Sequence, residues 1–175
     1  MRKSREEAAA TRQKIVDAAA RLFRARGIDA VSVADIMGSL GLTVGGFYKH
    51  FDSKEALLAE SMECASLQSA SRTASAQELL AGYLSMAHRN DRERGCPVAA
   101  LCSEVAHQGR STKKAFSVAI ERLFARIESL GLSRQQAMAI GAQIVGAVVL
   151  ARATSDEKLA QEILNAAGSS IDLPA

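Results

Sequence analysis

The sequence of 175 residues contains no tryptophan, two prolines and seven aromatic side chains. Alanine and leucine supply most of its apolar content, and β-branched residues are scattered. This composition favours an all-α protein over a β-sandwich or a β-barrel. Apolar residues make up 48% and charged residues 23% of the chain, so we expect a folded globular protein with one or two domains rather than a disordered one.

Cysteine is scarce, and the chain has no apolar leader or long apolar run. Cys64, Cys96 and Cys102 form no C-x-x-C pair and no even framework, which favours a reducing compartment. The first residues, MRKSREEAAATRQK, lack the apolar stretch of a secretion signal, so we expect a cytoplasmic protein. The longest apolar run, 137–151, is interrupted by Gln143 and is shorter than the roughly 20 residues of a membrane span. It predicts a buried helix.

Motifs of the common enzyme classes are also missing. There is no P-loop, no G-x-G-x-x-G and no H-E-x-x-H. The histidines His50, His88 and His107 form no metal-ligand pattern with cysteine or carboxylate residues. Cys96 and His107 could form a nucleophile and base, but eleven residues of one helix would separate them by about 16 Å. The sequence therefore predicts no enzyme, no catalytic residue, no metal site and no cofactor.

Positive charge is concentrated at one end of the chain. Residues 1–55 contain ten Lys and Arg against seven Asp and Glu, whereas the remaining residues carry twelve of each sign. The net charge of +3 therefore lies entirely in the first third. A small basic module joined to a neutral body is typical of a nucleic-acid binder, although the same excess also occurs on ordinary surfaces.

Helical spacing and stop signals organise this basic third. Apolar residues from Ile15 to Phe23 follow a helical period, and Gly27 ends that helix. Ser32 and Asp35 form a capping box, which opens a short helix that stops at Gly41. Thr43 is expected to cap an even shorter helix, and 53–55 open a long one that reaches about residue 68. Two short helices around a tight turn predict a helix-turn-helix, with a plain three-helix bundle as the alternative.

Between Ile15 and Leu58 the sequence resembles the N-terminal DNA-binding domain of the TetR family of bacterial transcriptional regulators. The pattern has fixed spacing and comprises Ala18-Ala19, Leu22-Phe23, Gly27, Ser32-Val33-Ala34-Asp35-Ile36, Gly41-Leu42-Thr43, Gly45, Tyr48, His50-Phe51 and Ser53-Lys54-Glu55-Ala56-Leu57-Leu58. The chain departs from the family at Met37 and Leu40, where alanine is usual, and at Gly38. These departures affect packing rather than groups that would meet DNA.

The resemblance implies that the helix from Thr43 to about Lys49 enters the major groove of DNA. The implied DNA-binding residues are Ser32, Val33, Thr43, Val44, Gly45, Gly46, Phe47, Tyr48, Lys49, His50 and Lys54. Thr43 and Val44 would contact base edges, and the basic and tyrosine side chains would contact phosphate. The residues alone also fit other roles: Gly45 and Gly46 could relieve crowding against the first helix, His50 could be structural, and Phe47 could belong to the core. Arg2, Lys3, Arg5 and Arg12 form either a solvated tail or a DNA-binding arm.

Helical patterns continue beyond the basic third, over 77–88, 97–108, 113–130, 134–153 and 156–167. The 134–153 helix is apolar nearly all round, which predicts that it is covered by a partner subunit. Together with the last helix it would form a two-fold homodimer interface, a four-helix bundle made by two subunits. The predicted interface residues are Ala137, Gly141, Ile144, Val145 and Val148. The alternative is a central helix within a monomer.

The resemblance also implies an effector pocket among the helices of this second domain. Candidate lining residues, chosen by helical spacing, are Leu84, Met86, Cys96, Leu101, Cys102, Phe116, Ile120 and Phe124. Few charges fall on the apolar faces, so a small lipophilic effector is expected. Pro97 places Cys96 at a helix cap near Arg92 and Arg94, where the thiol is either reactive or a small apolar filler.

The sequence thus predicts an all-α protein with a helix-turn-helix domain over 1–55 and a helical effector-binding and dimerisation domain over 56–175. The expected function is that of a TetR-like homodimeric regulator, a repressor that binds a pseudo-palindromic double-stranded DNA operator in the bacterial nucleoid and is released by a lipophilic effector or a thiol-reactive signal. The alternative is a helical adaptor that keeps the fold without binding DNA.

Overall fold

A computed structural model describes residues 5–69 and 75–173 of the chain. Within these residues the secondary structure consists of helices, with no strand. Their bounds are α1 Arg5–Arg26, α2 Val33–Ser39, α3 Val44–Phe47, α4 Lys54–Ser69, α5 Ala76–Tyr83, α6 Met86–Asn90, α7 Pro97–Val105, α8 Arg110–Glu128, α9 Arg134–Ala153 and α10 Glu157–Ser169. The predicted all-α fold class is confirmed.

The first three helices form the predicted helix-turn-helix arrangement, with α1 packed across α2 and α2 against α3. The Ser32 hydroxyl accepts a hydrogen bond from the Asp35 amide at 3.1 Å, and the Asp35 carboxylate accepts one from the Ser32 amide at 2.8 Å. This capping box starts α2 where the sequence predicted it. Gly41 has a φ of +67°, a left-handed conformation that glycine adopts without strain, and so makes the turn into α3.

Helix α4 joins the two halves of the protein. It packs against α1 on one side and against α8 on the other. Arg122, on α8, donates to the Ser66 hydroxyl and to the Glu63 carboxylate, both at 2.8 Å. The predicted boundary between residues 55 and 56 lies inside this continuous helix, and the division into two domains stays a prediction.

Helices α5–α10, hereafter the body, follow the predicted order, but α7, α8 and α10 begin or end one to three residues from the predicted positions, and one predicted helix is divided. A single helix was predicted over 77–88, whereas α5 ends at Tyr83 and α6 begins at Met86. The Ser85 hydroxyl accepts a hydrogen bond from the His88 amide at 3.0 Å, which caps a new helix and interrupts the first.

Helix α9 has the predicted bounds and lies at the centre of the body, in contact with α7, α8 and α10. Close approach to α8 depends on Gly141, because a Cβ there would lie 2.6 Å from the Phe124 ring. Among the described helices, α9 is the one whose length and apolar composition would suffice to cross a membrane, and 39% of its apolar stretch is buried within the chain.

Candidate nucleic-acid interface and body cavity

The short helix α3 presents an exposed and unobstructed surface. Val44 is 44% and Tyr48 is 65% exposed, and Thr43 and Lys49 are exposed as well. A Cβ on Gly45 would meet no atom within 4 Å, so this glycine relieves no crowding inside the chain. The backbone at the start of α3 is therefore open to the close approach of a partner. A surface of this kind fits the major groove of DNA, which accepts a helix presented by its first residues.

Phe47 belongs to the core, which corrects its prediction as a DNA-binding residue. Its side chain is fully buried, and its ring stacks on Phe51 at a centroid distance of 5.6 Å. Tyr48 meets the Phe47 ring edge-on at 5.2 Å. Phe47 thus anchors α3 from inside and holds Tyr48 on the outer side.

The start of α2 flanks this surface. Ser32 is exposed, but its hydroxyl and amide both bind Asp35, and these hydrogen bonds lower the pKa of the Asp35 carboxyl. Val33 is half-buried and packs against the core. Gly46 and His50 are half-buried, and Gly46 lies in ordinary contact with Met37 and Thr43. The DNA contacts of these residues stay predictions.

Lys54 is oriented differently from the prediction. Its Nζ donates a hydrogen bond to the backbone carbonyl of Ile28 at 2.6 Å and lies 5.8 Å from the centre of the Phe23 ring. The amine therefore holds the loop between α1 and α2 instead of lying beside the amides that open α4. Its predicted phosphate contact requires this internal bond to break.

The predicted basic arm is partly helical. Helix α1 begins at Arg5, and Arg12 within it forms an ion pair with Glu60 and lies 4.3 Å from the centre of the Phe51 ring. Arg12 is thus engaged inside the chain, whereas Arg2 and Lys3 lie outside the described residues.

A cavity of about 640 Å³ lies between α1, α4 and the body. Of the eight residues predicted to line an effector pocket, Cys96 does so. The other seven (Leu84, Met86, Leu101, Cys102, Phe116, Ile120, Phe124) are absent from its lining and contribute to the core or pack against it. Helical spacing identified inward-facing side chains correctly but could not distinguish a packed face from a cavity wall.

The lining combines charged and apolar groups, and the expected small lipophilic effector stays a prediction. Among the described residues the lining includes five arginines and no aspartate or glutamate, beside apolar side chains. The described lining residues are Arg21, Arg24, Ser66, Gln68, Leu79, Gly82, Tyr83, His88, Arg94, Gly95, Cys96, Pro97, Val98, Ala119, Arg122, Leu123 and Arg126. Arg21 and Arg24 were counted in the sequence only as part of the basic first third, because nothing local indicates that α1 borders the body.

His88 and Cys96 form one edge of this cavity. Cys96 is the N-cap of α7 with Pro97 in the first turn, as predicted, and its amide donates to Nε2 of His88 at 3.0 Å. Nδ1 of His88 lies 2.7 Å from the Tyr83 carbonyl, so this nitrogen carries the proton and the ring is neutral. Burial lowers the pKa of His88, which agrees with a neutral ring. Cys96 is buried and unpaired by a disulfide, and its role as a reactive thiol stays a prediction.

The predicted dimer residues on α9 mostly face inward, which corrects that assignment. Ala137, Ile144 and Val148 have no exposed surface, Gly141 is buried against Phe124, and Val145 is half-buried. An apolar surface instead remains on the opposite side of α9 and on α10. Met138 is 47%, Leu150 60% and Leu159 44% exposed.

Among the residues that the structure describes, no three His, Cys, Asp or Glu side chains are grouped closely enough to hold a metal ion.

Residues 15–61 match the family model of bacterial regulatory proteins of the tetR family. The chain is 42% identical over 62 residues to the transcriptional regulator AcrR of Shigella flexneri. These residues make up 35% of this chain and 29% of AcrR. It is 45% identical over 49 residues to the transcriptional repressor KstR2 of Rhodococcus jostii, or 28% of this chain and 24% of that protein. The chain thus matches less than a third of the length of these curated relatives, all of it in one segment.

The fold is similar to solved structures over nearly the whole chain. A TetR transcriptional regulator from Chloroflexus aurantiacus superposes with a TM-score of 0.72 at 21% identity, covering 95% of this chain and 94% of that one. The reduced form of NemR from Escherichia coli superposes with a TM-score of 0.71 at 19% identity, covering 93% of this chain and 95% of NemR. At these identities the likeness establishes the fold, including that of the body.

Proposed function

We propose that this chain, whose residues 15–61 match the family model of bacterial regulatory proteins of the tetR family, is a sequence-specific DNA-binding transcriptional regulator acting as a repressor. The observation that carries the proposal is the surface of α3. Thr43, Val44, Tyr48 and Lys49 are exposed around an unobstructed Gly45 backbone, while Phe47 anchors the helix from inside.

In this role the start of α3 enters the major groove. Thr43 and Val44 contact base edges, through the hydroxyl and through apolar contact with a thymine methyl group. Tyr48 and Lys49 contact phosphates and set the register of the protein on the duplex. The matched relatives are named as transcriptional regulators and repressors, which supports a regulatory rather than an enzymatic role.

We propose that the protein acts as a homodimer through the exposed apolar surface of α9 and α10. Burial of Met138, Leu150 and Leu159 in a two-fold interface would remove apolar area from water on both protomers. Two recognition helices would then meet two half-sites of a pseudo-palindromic operator.

The cavity supplies a site for an effector, and α4 connects it to the DNA-binding domain. Ser66 and Gln68 of α4 line the cavity, and α4 also packs along α1. An effector that binds one orientation of α4 better than another would change the spacing of the two recognition helices. The coupling is then the difference in effector affinity between the two states.

Selection of genomic fragments with purified protein tests this function, followed by titration of the best duplex at several salt concentrations. We expect a pseudo-palindromic site whose affinity falls steeply with salt, because phosphate contacts release counterions. The Lys49→Ala variant should weaken binding, whereas Lys114→Ala, which is exposed on α8 away from α3 and from the proposed interface, serves as the matched control. No enriched site, or a flat salt dependence, would contradict the proposal and favour an adaptor without DNA binding.

A further inference from the structure

Arg24 is a buried cation at the boundary between the DNA-binding domain and the body. It lies on α1, retains 3% of its surface and lines the cavity. Its Nε donates to the Glu93 carbonyl at 2.7 Å and its Nη2 to the Gln68 side-chain carbonyl at 3.2 Å. Its Nη1 is buried and has no hydrogen-bond partner among the residues that the structure describes. Both acceptors are neutral, so neither hydrogen bond offsets the charge with an anion.

Asp91 acts on the Arg24 guanidinium only at a distance, without a hydrogen bond. A buried charge that no hydrogen-bonded anion compensates is costly. Transfer of a guanidinium out of water is compensated only by an opposite charge or by a full set of hydrogen bonds. Burial lowers the pKa of Arg24, in keeping with this cost, but arginine keeps its proton in proteins. An anion beside Arg24 would supply the missing charge and an acceptor for the remaining N–H groups.

The other lining residues reinforce the positive character of the cavity. Arg122 and Arg94 already pair with Glu63 and Asp91, at 2.8 Å in each case, and Arg94 is 82% exposed at the rim. Arg21 and Arg126 add two further guanidinium groups, and no carboxylate belongs to the part of the lining that the structure describes. The electrostatic potential inside the cavity therefore favours a negatively charged ligand.

The remaining wall of the cavity is apolar, so the uncharged part of a ligand should be apolar as well. Leu79, Pro97, Val98, Ala119 and Leu123 line the cavity together with the Tyr83 ring. A volume of about 640 Å³ is in the range of sites that hold one small organic molecule.

We propose that this cavity binds an organic anion, a small molecule with an apolar body and a carboxylate or phosphate group that is held by Arg24. The inference rests on the proposed function in one respect, namely that the ligand is the effector of the regulator. Since Arg24 belongs to α1, the acid group would contact the DNA-binding domain directly while the apolar part contacts α5, α7 and α8. The ligand would thus bridge the two parts of the protein without relying on α4 alone.

Three probes of equal length and different charge test the proposal on the full-length protein: octanoate, octanamide and octylammonium. Binding is measured by calorimetry at constant ionic strength, below the micelle threshold of each probe. We expect saturable binding of octanoate, with affinity at least about tenfold above that of octanamide and no binding of octylammonium. Arg24→Gln should lower the affinity for octanoate by about tenfold or more and leave the affinity for octanamide unchanged. Arg26→Gln, on the exposed face of α1, should change neither affinity.

Absence of saturable octanoate binding, or equal affinity for octanoate and octanamide, would overturn the proposal. So would equal losses of octanoate affinity in Arg24→Gln and Arg26→Gln. If Arg24→Gln does not fold, the wild-type probe series decides the outcome, because the comparison of octanoate, octanamide and octylammonium needs no substitution. DNA binding without any probe is measured on the same protein: intact DNA binding with no charge preference rejects the anion site alone, whereas octanoate binding without DNA binding rejects the proposed function alone.

Discussion

The carboxylate of Glu104, on α7, accepts a hydrogen bond from the backbone amide of Ile28 at 2.6 Å. The backbone carbonyl of Ile28 accepts a hydrogen bond from Nζ of Lys54 at 2.6 Å. The loop between α1 and α2 is therefore held from the body on one side and from α4 on the other. Gly27, before this loop, has a φ of +92°, and a Cβ there would lie 2.7 Å from the Glu104 carboxylate. Close contact between the body and the helix-turn-helix is thus built around Ile28.

Replacement of Glu104 tests this contact. Glu104→Ala leaves the half-buried Ile28 amide without its charged acceptor, and we expect a loss of about 1–3 kcal/mol in the free energy of unfolding. Urea denaturation measures this loss. Glu162→Ala, on exposed α10, removes the same charge and should cost well under 1 kcal/mol. Equal effects of the two substitutions would show that the Glu104 contact contributes nothing specific.

Substitutions on α3 should separate base contacts from phosphate contacts. Thr43→Ala should change the preferred operator sequence, because Thr43 lies at the exposed start of α3. Tyr48→Ala and Lys49→Ala should weaken binding roughly uniformly across sequences, and Lys49→Ala should also reduce the salt slope by about one. Repeated fragment selection with each variant measures these effects. An unchanged selected site with Thr43→Ala would reject its base contact.

His88 should make stability depend on pH below neutrality. Its folded pKa lies below the 6.5 of the unfolded chain, so between the two values the unfolded state binds more protons than the folded state. The stabilisation is complete above about pH 6.5 and is lost as the pH falls, since a protonated Nε2 can no longer accept from the Cys96 amide. Urea denaturation at about pH 7.5 and about pH 5.5 measures the free energy of unfolding at each pH. Between these pH values the free energy of unfolding should fall less for His88→Gln than for the wild type. A loss of equal size in both proteins would exclude His88 as its source.

The exposed apolar surface of α9 should determine oligomeric state. Leu150 is 60% exposed, so Leu150→Glu should leave the protomer folded while it places a charge in the proposed interface. Sedimentation velocity should then report a monomer. Val118→Glu, on an exposed part of α8, is the matched control and should remain dimeric. A dimer of unchanged stability with Leu150→Glu would move the interface elsewhere.

Local sequence was sufficient for the helix-turn-helix and for α9. The Ser32–Asp35 capping box, the turn at Gly41 and the bounds of α9 depend on interactions among residues a few positions apart, and these interactions are visible in sequence spacing. The prediction of a single helix over 77–88 was wrong. The N-cap at Ser85, which divides this segment into two helices, is also a local signal in the sequence.

Tertiary structure decided which side of each helix meets the core, a cavity or solvent. Packing turned Phe47 inward, bonded Lys54 to Ile28 and buried Ala137, Gly141, Ile144 and Val148 in the protomer. It also brought Arg24 of α1 beside the body, about a hundred residues from Arg122 and Arg126 on the facing wall of the cavity. These relations join residues far apart in the chain. No spacing rule encodes them, because they follow from how whole helices fit together.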